Sequence, residues 1–162
     1  MAALFQQGFG VGFLLRAERA IQDLKAAFHY LAARPDVGGK RIGAIGWSMG
    51  GGFAIQLAIH EPQLSACVVN YGALPTNPAD IGNIKAPVPG NFGALDRGIP
   101  SPEVRTFERV MKSLNKSVDI KIYMAPPTRS KILTTNVLIA LKLEPIRGTA
   151  FWPSSPRLRE QM

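Results

Sequence analysis

The sequence predicts an α/β protein whose mainly parallel sheet is flanked by helices. Three observations carry this. Short apolar or alternating runs at 41–47, 65–72, 86–96 and 118–123 follow one another with helix-patterned segments between them, the order that builds parallel sheets. Two of those runs, RIGAIGW and SACVVNYG, are nearly continuously apolar, as strands covered by other elements tend to be. A glycine-rich stretch, GWSMGGG at 46–52, joins the first run to a helix-like one.

The elements follow in order. ERAIQDLKAAFHYLAA, 18–33, places Ala20, Ile21, Leu24, Ala27, Phe28 and Leu31 at helical spacing, and Pro35 stops it. RIGAIGW, 41–47, is a short buried strand. GGFAIQLAIHEP is a helix ended by Pro62, and SACVVNYG, 65–72, is a second buried strand. ALPTNPADIGNIK reads as a polar loop carrying Pro and Asn. APVPGNFGALD, 86–96, is a third strand that ends near Asp96. SPEVRTFERVMKSLNK, 101–116, is a helix with Ser101 as its N-cap and Pro102 and Glu103 in its first turn. VDIKIY, 118–123, alternates as a fourth strand. Beyond Tyr123 the period is lost. Within the Pro-, Ser- and Arg-rich remainder only ILTTNVLIALKL offers a short helix or strand.

Composition bounds the function. A chain of 162 residues is one domain with room for a core. No run of 18 apolar residues exists, so no transmembrane helix is expected. The opening lacks a basic n-region and is interrupted by Gln6 and Gln7, so no signal peptide is expected. A single cysteine, Cys67, forms no internal disulfide framework, and a cytoplasmic location follows as the default. The net charge of +8 invites a nucleic-acid reading. Residues 1–123 hold 13 basic and 9 acidic side chains and the last 39 residues hold 6 and 2, so the tail carries half the excess. No aromatic-interleaved basic patch accompanies it, and neither nucleic acid nor membrane is expected as a partner.

The chemistry centres on Ser48. A strand, a sharp turn holding a serine between Gly46 and Gly50, then a helix, is the pattern of the nucleophile elbow in α/β-hydrolases. The two glycines permit the close approach of strand and helix that the strained turn requires. Met49, next in sequence, would supply one oxyanion-hole N–H. A glycine-rich turn that binds an anion on its helix N-terminus is the alternative reading. Asp96, in GALDRGIP, sits at the carboxyl end of a predicted strand downstream of Ser48, where a triad acid belongs; the alternative is an aspartate capping its own turn. The base is missing. The only histidines are His29 and His60. His29 precedes the elbow, and His60 ends the following helix roughly 15 Å from Ser48. Both read as surface or packing residues, and neither pairs with a cysteine at metal spacing.

Residues 18–123 resemble the dienelactone hydrolase family. The resemblance lies in DLKAAFHYLAARPDV, RIGAIGWSMGGGFAIQLA, ACVVNYGALPT, IKAPVPGNFGALDRGIP and VDIKIY. It implies a partial α/β-hydrolase domain over 1–123, acting without a cofactor or metal on a small ester or lactone. Carried over by motif, Ser48 falls on the nucleophile, usually cysteine in the family, and Asp96 on the acid. The family's strands before the first helix, which would furnish the second oxyanion donor, have no counterpart here. Nor does its histidine, which follows the strand matching DIKIY in a G-A-x-H-A-F context. Read one base out of phase from Met124, permitted codons spell G-A-P-H-A-F-E-N-P, with the histidine spanning Pro127 and Thr128. Residues 124–162 are therefore expected to be a frame-shifted, poorly ordered tail on a chain truncated at its front. The expectation is an impaired hydrolase, the competing class an inactive fragment or anion-binding module.

Overall fold

The computed structural model describes residues 11–37, 41–124 and 137–141. Its elements are α1 (Val11–Ala33), β1 (Ile42–Trp47), α2 (Met49–His60), β2 (Ala66–Asn70), α3 (Pro78–Asn83), β3 (Val88–Gly93), α4 (Ser101–Ser113), β4 (Val118–Tyr123) and β5 (Val137–Leu141). The sheet order is β4-β3-β2-β1-β5. β1 to β4 run parallel, and β5 pairs antiparallel with β1. This is the predicted α/β architecture with a mainly parallel sheet.

Each connection from β1 to β4 steps one strand in the same direction. Right-handed crossovers then place α2, α3 and α4 on one face. α2 contacts β1, β2, α1 and α3, and α4 contacts β3 and β4. Register separates the two faces of the sheet. Ala44 pairs with Cys67 and Phe92 with Ile122, whereas Trp47 pairs with Asn70 and Asn70 with Asn91. The first set points toward the helices, and its members Ala44, Cys67 and Phe92 are buried. On the other face Ile45, Trp47, Val68 and Asn91 are half-buried.

α2 is apolar nearly all round because neighbours cover it. Ala54, Ile55, Leu57, Ala58 and Ile59 are all buried, the composition of a helix enclosed rather than amphipathic. α4 is amphipathic, setting Val104, Phe107 and Met111 into the core. Its outer face carries Glu108, which pairs with Lys112 at 2.6 Å and Arg105 at 3.2 Å. Together these cations hold the Glu108 carboxyl below its usual range, the hydrogen bond from Lys112 contributing most.

The structure adjusts four boundaries. α1 begins at Val11 rather than residue 18; no proline lies within it, and its one glycine, Gly12, falls in the first turn. The segment read as a loop contains α3, a helix of 6 residues. Asn77 caps it by accepting from the Ala79 N–H at 3.0 Å, and Pro78 occupies its first position. Ser101 is not the N-cap of α4. Pro100 is, its carbonyl accepting from Glu103 and Val104, while the Ser101 hydroxyl donates to the Ala94 carbonyl at 3.1 Å. The third strand ends at Gly93, so Asp96 lies in the turn beyond it. Of the tail expected from residue 124 onward, Met124 and Val137–Leu141 are described, the latter as a strand within ILTTNVLIALKL; the remainder lies outside the described residues.

Candidate active site

β1, β2 and β3 are parallel, so their carboxyl ends share one edge of the sheet. Ser48 follows β1 there, and Asp96 follows β3, with β2 between. Ser48 has φ 54° and ψ −124°, a backbone state that costs a non-glycine residue on the order of 1–3 kcal/mol. The surroundings enforce it. The Ser48 N–H donates to the Asn70 carbonyl at 3.0 Å, and the Ser48 carbonyl accepts from Gly51 and Gly52 at 3.0 and 3.2 Å. The Ser48 side chain is exposed and caps nothing. The N–H of Met49, at the first helical position, has no partner within the helix.

Three glycines make the turn possible. A Cβ on Gly46 would lie 2.0 Å from the Gly50 carbonyl oxygen, and one on Gly72 would lie 2.5 Å from Gly51 carbon. A Cβ on Gly51 would come within 3.0 Å of Gly72 Cα. The first turn of α2 therefore rides directly on the ends of β1 and β2, with backbone against backbone. That contact leaves no room for a side chain and brings the helix N-terminus up to Ser48.

Asp96 is half-buried. Its Oδ1 accepts from the Gly98 N–H at 2.8 Å and the Ile99 N–H at 3.2 Å. This is the turn-capping contact weighed against catalysis in the sequence. It fixes the carboxylate's orientation while Oδ2 accepts no hydrogen bond among the described residues. The Ser101 bond to Ala94 ties the same loop to α4.

Both histidines lie at the other end of α2. His60 is its last residue, about 17 Å along the axis from Met49 at 1.5 Å per residue, and its Nδ1 lies 2.9 Å from the Gln56 carbonyl. His29 Nε2 is 3.1 Å from Glu61 Oε2, and Glu61 is the C-cap of α2. Neither imidazole reaches Ser48. Cys67 is fully buried in β2, not on the turn, and burial pushes its thiol up to about 12. It stays protonated and is no substitute nucleophile.

The sequence reading missed a polar ladder under this edge. Tyr123 Oη donates to Asn91 Oδ1 at 3.3 Å, Asn91 Nδ2 donates to Asn70 Oδ1 at 2.9 Å, and Asn70 Nδ2 donates to the Gly46 carbonyl at 3.3 Å. It crosses from β4 to β1. The signal was a polar residue near the end of each of two apolar strands, VVN and GNF. Its meaning appears only once Asn70 and Asn91 pair in register.

A serine on a strained strand-to-helix turn, at the carboxyl edge of a parallel sheet, places the molecule in the α/β-hydrolase class. The sequence model of the dienelactone hydrolase family matches residues 8–126, and the chain belongs to that family. It is 33% identical over 129 residues to a protein of Saccharolobus solfataricus named as a carboxymethylenebutenolidase, covering 76% of this chain and 48% of that one. A protein of the same name from Methylorubrum extorquens is 30% identical over 114 residues, covering 65% and 39%. Among solved structures, a protein of Klebsiella pneumoniae named as a dienelactone hydrolase superposes with a TM-score of 0.59 at 26% identity, covering 74% of this chain and 58% of that one. The chain spans less than half the length of these two sequence relatives. Among the described residues no helix is long and apolar enough to cross a membrane, and no group of three His, Cys, Asp or Glu side chains could hold a metal ion.

The glycine packing yields a prediction. Gly46→Ala should lower stability by about 3 kcal/mol or more, since the clash is with backbone that cannot move aside. Gly82→Ala, where a Cβ meets nothing within 4 Å, should be neutral or stabilising by up to about 1 kcal/mol. Denaturant midpoints of the two variants at unchanged slope test the contrast.

Proposed function

We propose that the chain carries the nucleophile and the acid of a hydrolase for small esters or lactones, and lacks the base that would let it turn over. The observation that carries this is Ser48 itself, held at φ 54° in the turn between β1 and α2, with Asp96 on the same sheet edge. Ser48 Oγ attacks the carbonyl carbon, and the resulting oxyanion takes the Met49 N–H. Collapse breaks the carbonyl–oxygen single bond, releasing the alcohol or opening the ring, and leaves an acyl-Ser48 ester for water to cleave. Asp96 is the group that would orient an imidazole and stabilise it as imidazolium. Relatives named as carboxymethylenebutenolidases support a lactone-type substrate.

In a complete site the imidazole takes the Ser48 proton, gives it to the leaving oxygen and then activates water. Neither His29 nor His60 is in place to do so. Removing one member of such a triad costs on the order of 10⁴ to 10⁶ in turnover. Turnover of p-nitrophenyl acetate by this chain should be slower than that of a complete triad by that factor. A fluorophosphonate probe, whose capture by serine also depends on the base, should label the wild-type chain only slowly over long incubation, and Ser48→Ala not at all. A chain that is never labelled would return Ser48 to a structural or anion-binding turn. Fast hydrolysis lost in Ser48→Ala would mean that another base serves the site.

The missing base has a proposed origin. The family match ends at residue 126, close to codon 124, from which the displaced frame can spell G-A-P-H-A-F. We read residues 124–162 as that displaced frame. Sequencing the locus decides the point: an H-A-F-x-N-P segment one base out of phase is expected, and its absence there would end the idea.

A further inference from the structure

We propose that Asn70 is the positioning residue of the nucleophile turn, with Asn91 and Tyr123 locking its amide. The proposal rests on Ser48 being the nucleophile, and it adds a residue that lies outside the G-x-S-x-G motif. Asn70 ends β2 and is 7% exposed. It grips the elbow from both sides. Its backbone carbonyl accepts the Ser48 N–H at 3.0 Å, and its side-chain Nδ2 donates to the Gly46 carbonyl at 3.3 Å. Gly46 and Ser48 bracket Trp47, so the two bonds fix the final step of β1 before the backbone swings to positive φ.

The amide can do this only in one orientation. Turned over, its oxygen would face the Gly46 carbonyl. The Gly46 carbonyl can only accept, so it sets the sense of the row: Asn70 Nδ2 donates to it, Asn91 Nδ2 donates to Asn70 Oδ1 at 2.9 Å, and the Tyr123 hydroxyl donates to Asn91 Oδ1 at 3.3 Å. Each group along the row has its donor facing an acceptor, and the row ends on a backbone carbonyl of β1. Asn91 has a second hold, since its own backbone carbonyl accepts the Tyr71 N–H at 2.7 Å. Tyr71 has φ 38°, so the chain turns sharply directly after Asn70 as well. The tight seat between Gly51 and Gly72 follows one residue later. A buried amide with every polar group engaged in this way specifies one geometry, and a half-satisfied one would not. The consequence is that the direction of the Ser48 hydroxyl, and of the Met49 N–H next in the chain, depends on a side chain one strand away that touches neither substrate nor oxyanion.

The test compares wild type with Asn70→Ala, Asn70→Asp and Asn91→Ala in the full chain, well below the melting point of each. Asn70→Asp is nearly isosteric and keeps the acceptor for Asn91, but as a carboxylate it cannot donate to Gly46. Two readouts are taken. One is the rate of fluorophosphonate labelling of Ser48, followed by mass spectrometry. The other is amide hydrogen exchange at Ser48, Gly51 and Gly52, which needs no reactivity. Asn70→Ala and Asn70→Asp should each slow labelling by about tenfold, the size of one hydrogen bond lost to a buried acceptor. Both should also speed exchange at those amides relative to amides in α4. Asn91→Ala, at a half-buried position, should give a smaller change of the same sign, and it serves as the test if the Asn70 variants do not fold. Phe107→Leu, which loosens the core far from the turn, should leave both readouts within about twofold once its melting point is allowed for. Labelling and exchange unchanged in Asn70→Asp would overturn the proposal. If wild type itself is never labelled, the nucleophile reading fails, and exchange alone then decides whether Asn70 holds the turn.

Discussion

The structure depends on a backbone-to-backbone contact. The first turn of α2 sits on the ends of β1 and β2 with no side chain between them, and Gly46, Gly51 and Gly72 are the residues that allow it. Everything at the sheet edge follows from that contact. It forces the chain to reverse within one residue, which puts Ser48 at φ 54°. It sets Ser48 directly before the first turn of a helix, where the Met49 N–H has no partner within the helix. It also makes β2, the middle strand of the five, the anchor for the turn. The strain at Ser48 persists because the contact and its hydrogen bonds over-determine the conformation.

The core supplies the rigidity on which this rests. α2 is enclosed by β1, β2, α1 and α3, and Ile55, Leu57 and Ala58 are almost wholly removed from water. A helix so enclosed has no freedom to slide, and its N-terminus stays fixed against the strand ends. Its other end holds the two histidines. Glu61 is 4% exposed, and its carboxylate lies 3.1 Å from His29 while accepting from the Gln63 N–H at 3.2 Å. A buried carboxylate needs such partners. That explains His29 as a packing and pairing residue, and it separates both imidazoles from Ser48 by the length of a helix.

Much of this was legible in the sequence where single residues carry geometric meaning. Glycines on either side of Ser48 announced the turn, and Pro35 and Pro62 marked helix ends within two residues. The short helix α3 was not read because Pro, Asn and Gly dominate it. Yet Asn77 followed by Pro78 is a helix start by capping chemistry, and composition hid that signal. Ser101 looked like a cap because serine commonly is one; the carbonyl of Pro100 had already taken the place, freeing the hydroxyl to hold the Asp96 loop. The Asn70–Asn91 pair was illegible for a different reason. It depends on which residues of two strands stand opposite each other, and short apolar strands give no register by themselves. The position of Asp96 was readable, but not that its Oδ1 would be occupied by the turn.

The central claim is that nucleophile and acid are in place and the base is not. Intact-mass measurement of the chain during incubation with p-nitrophenyl acetate tests it most directly. Slow transfer of one acetyl group to Ser48 is expected, an adduct that accumulates because no imidazole activates water to remove it, with none on Ser48→Ala. Continuous release of p-nitrophenol by the wild-type chain with no adduct detected, or an adduct equally abundant in Ser48→Ala, would contradict it.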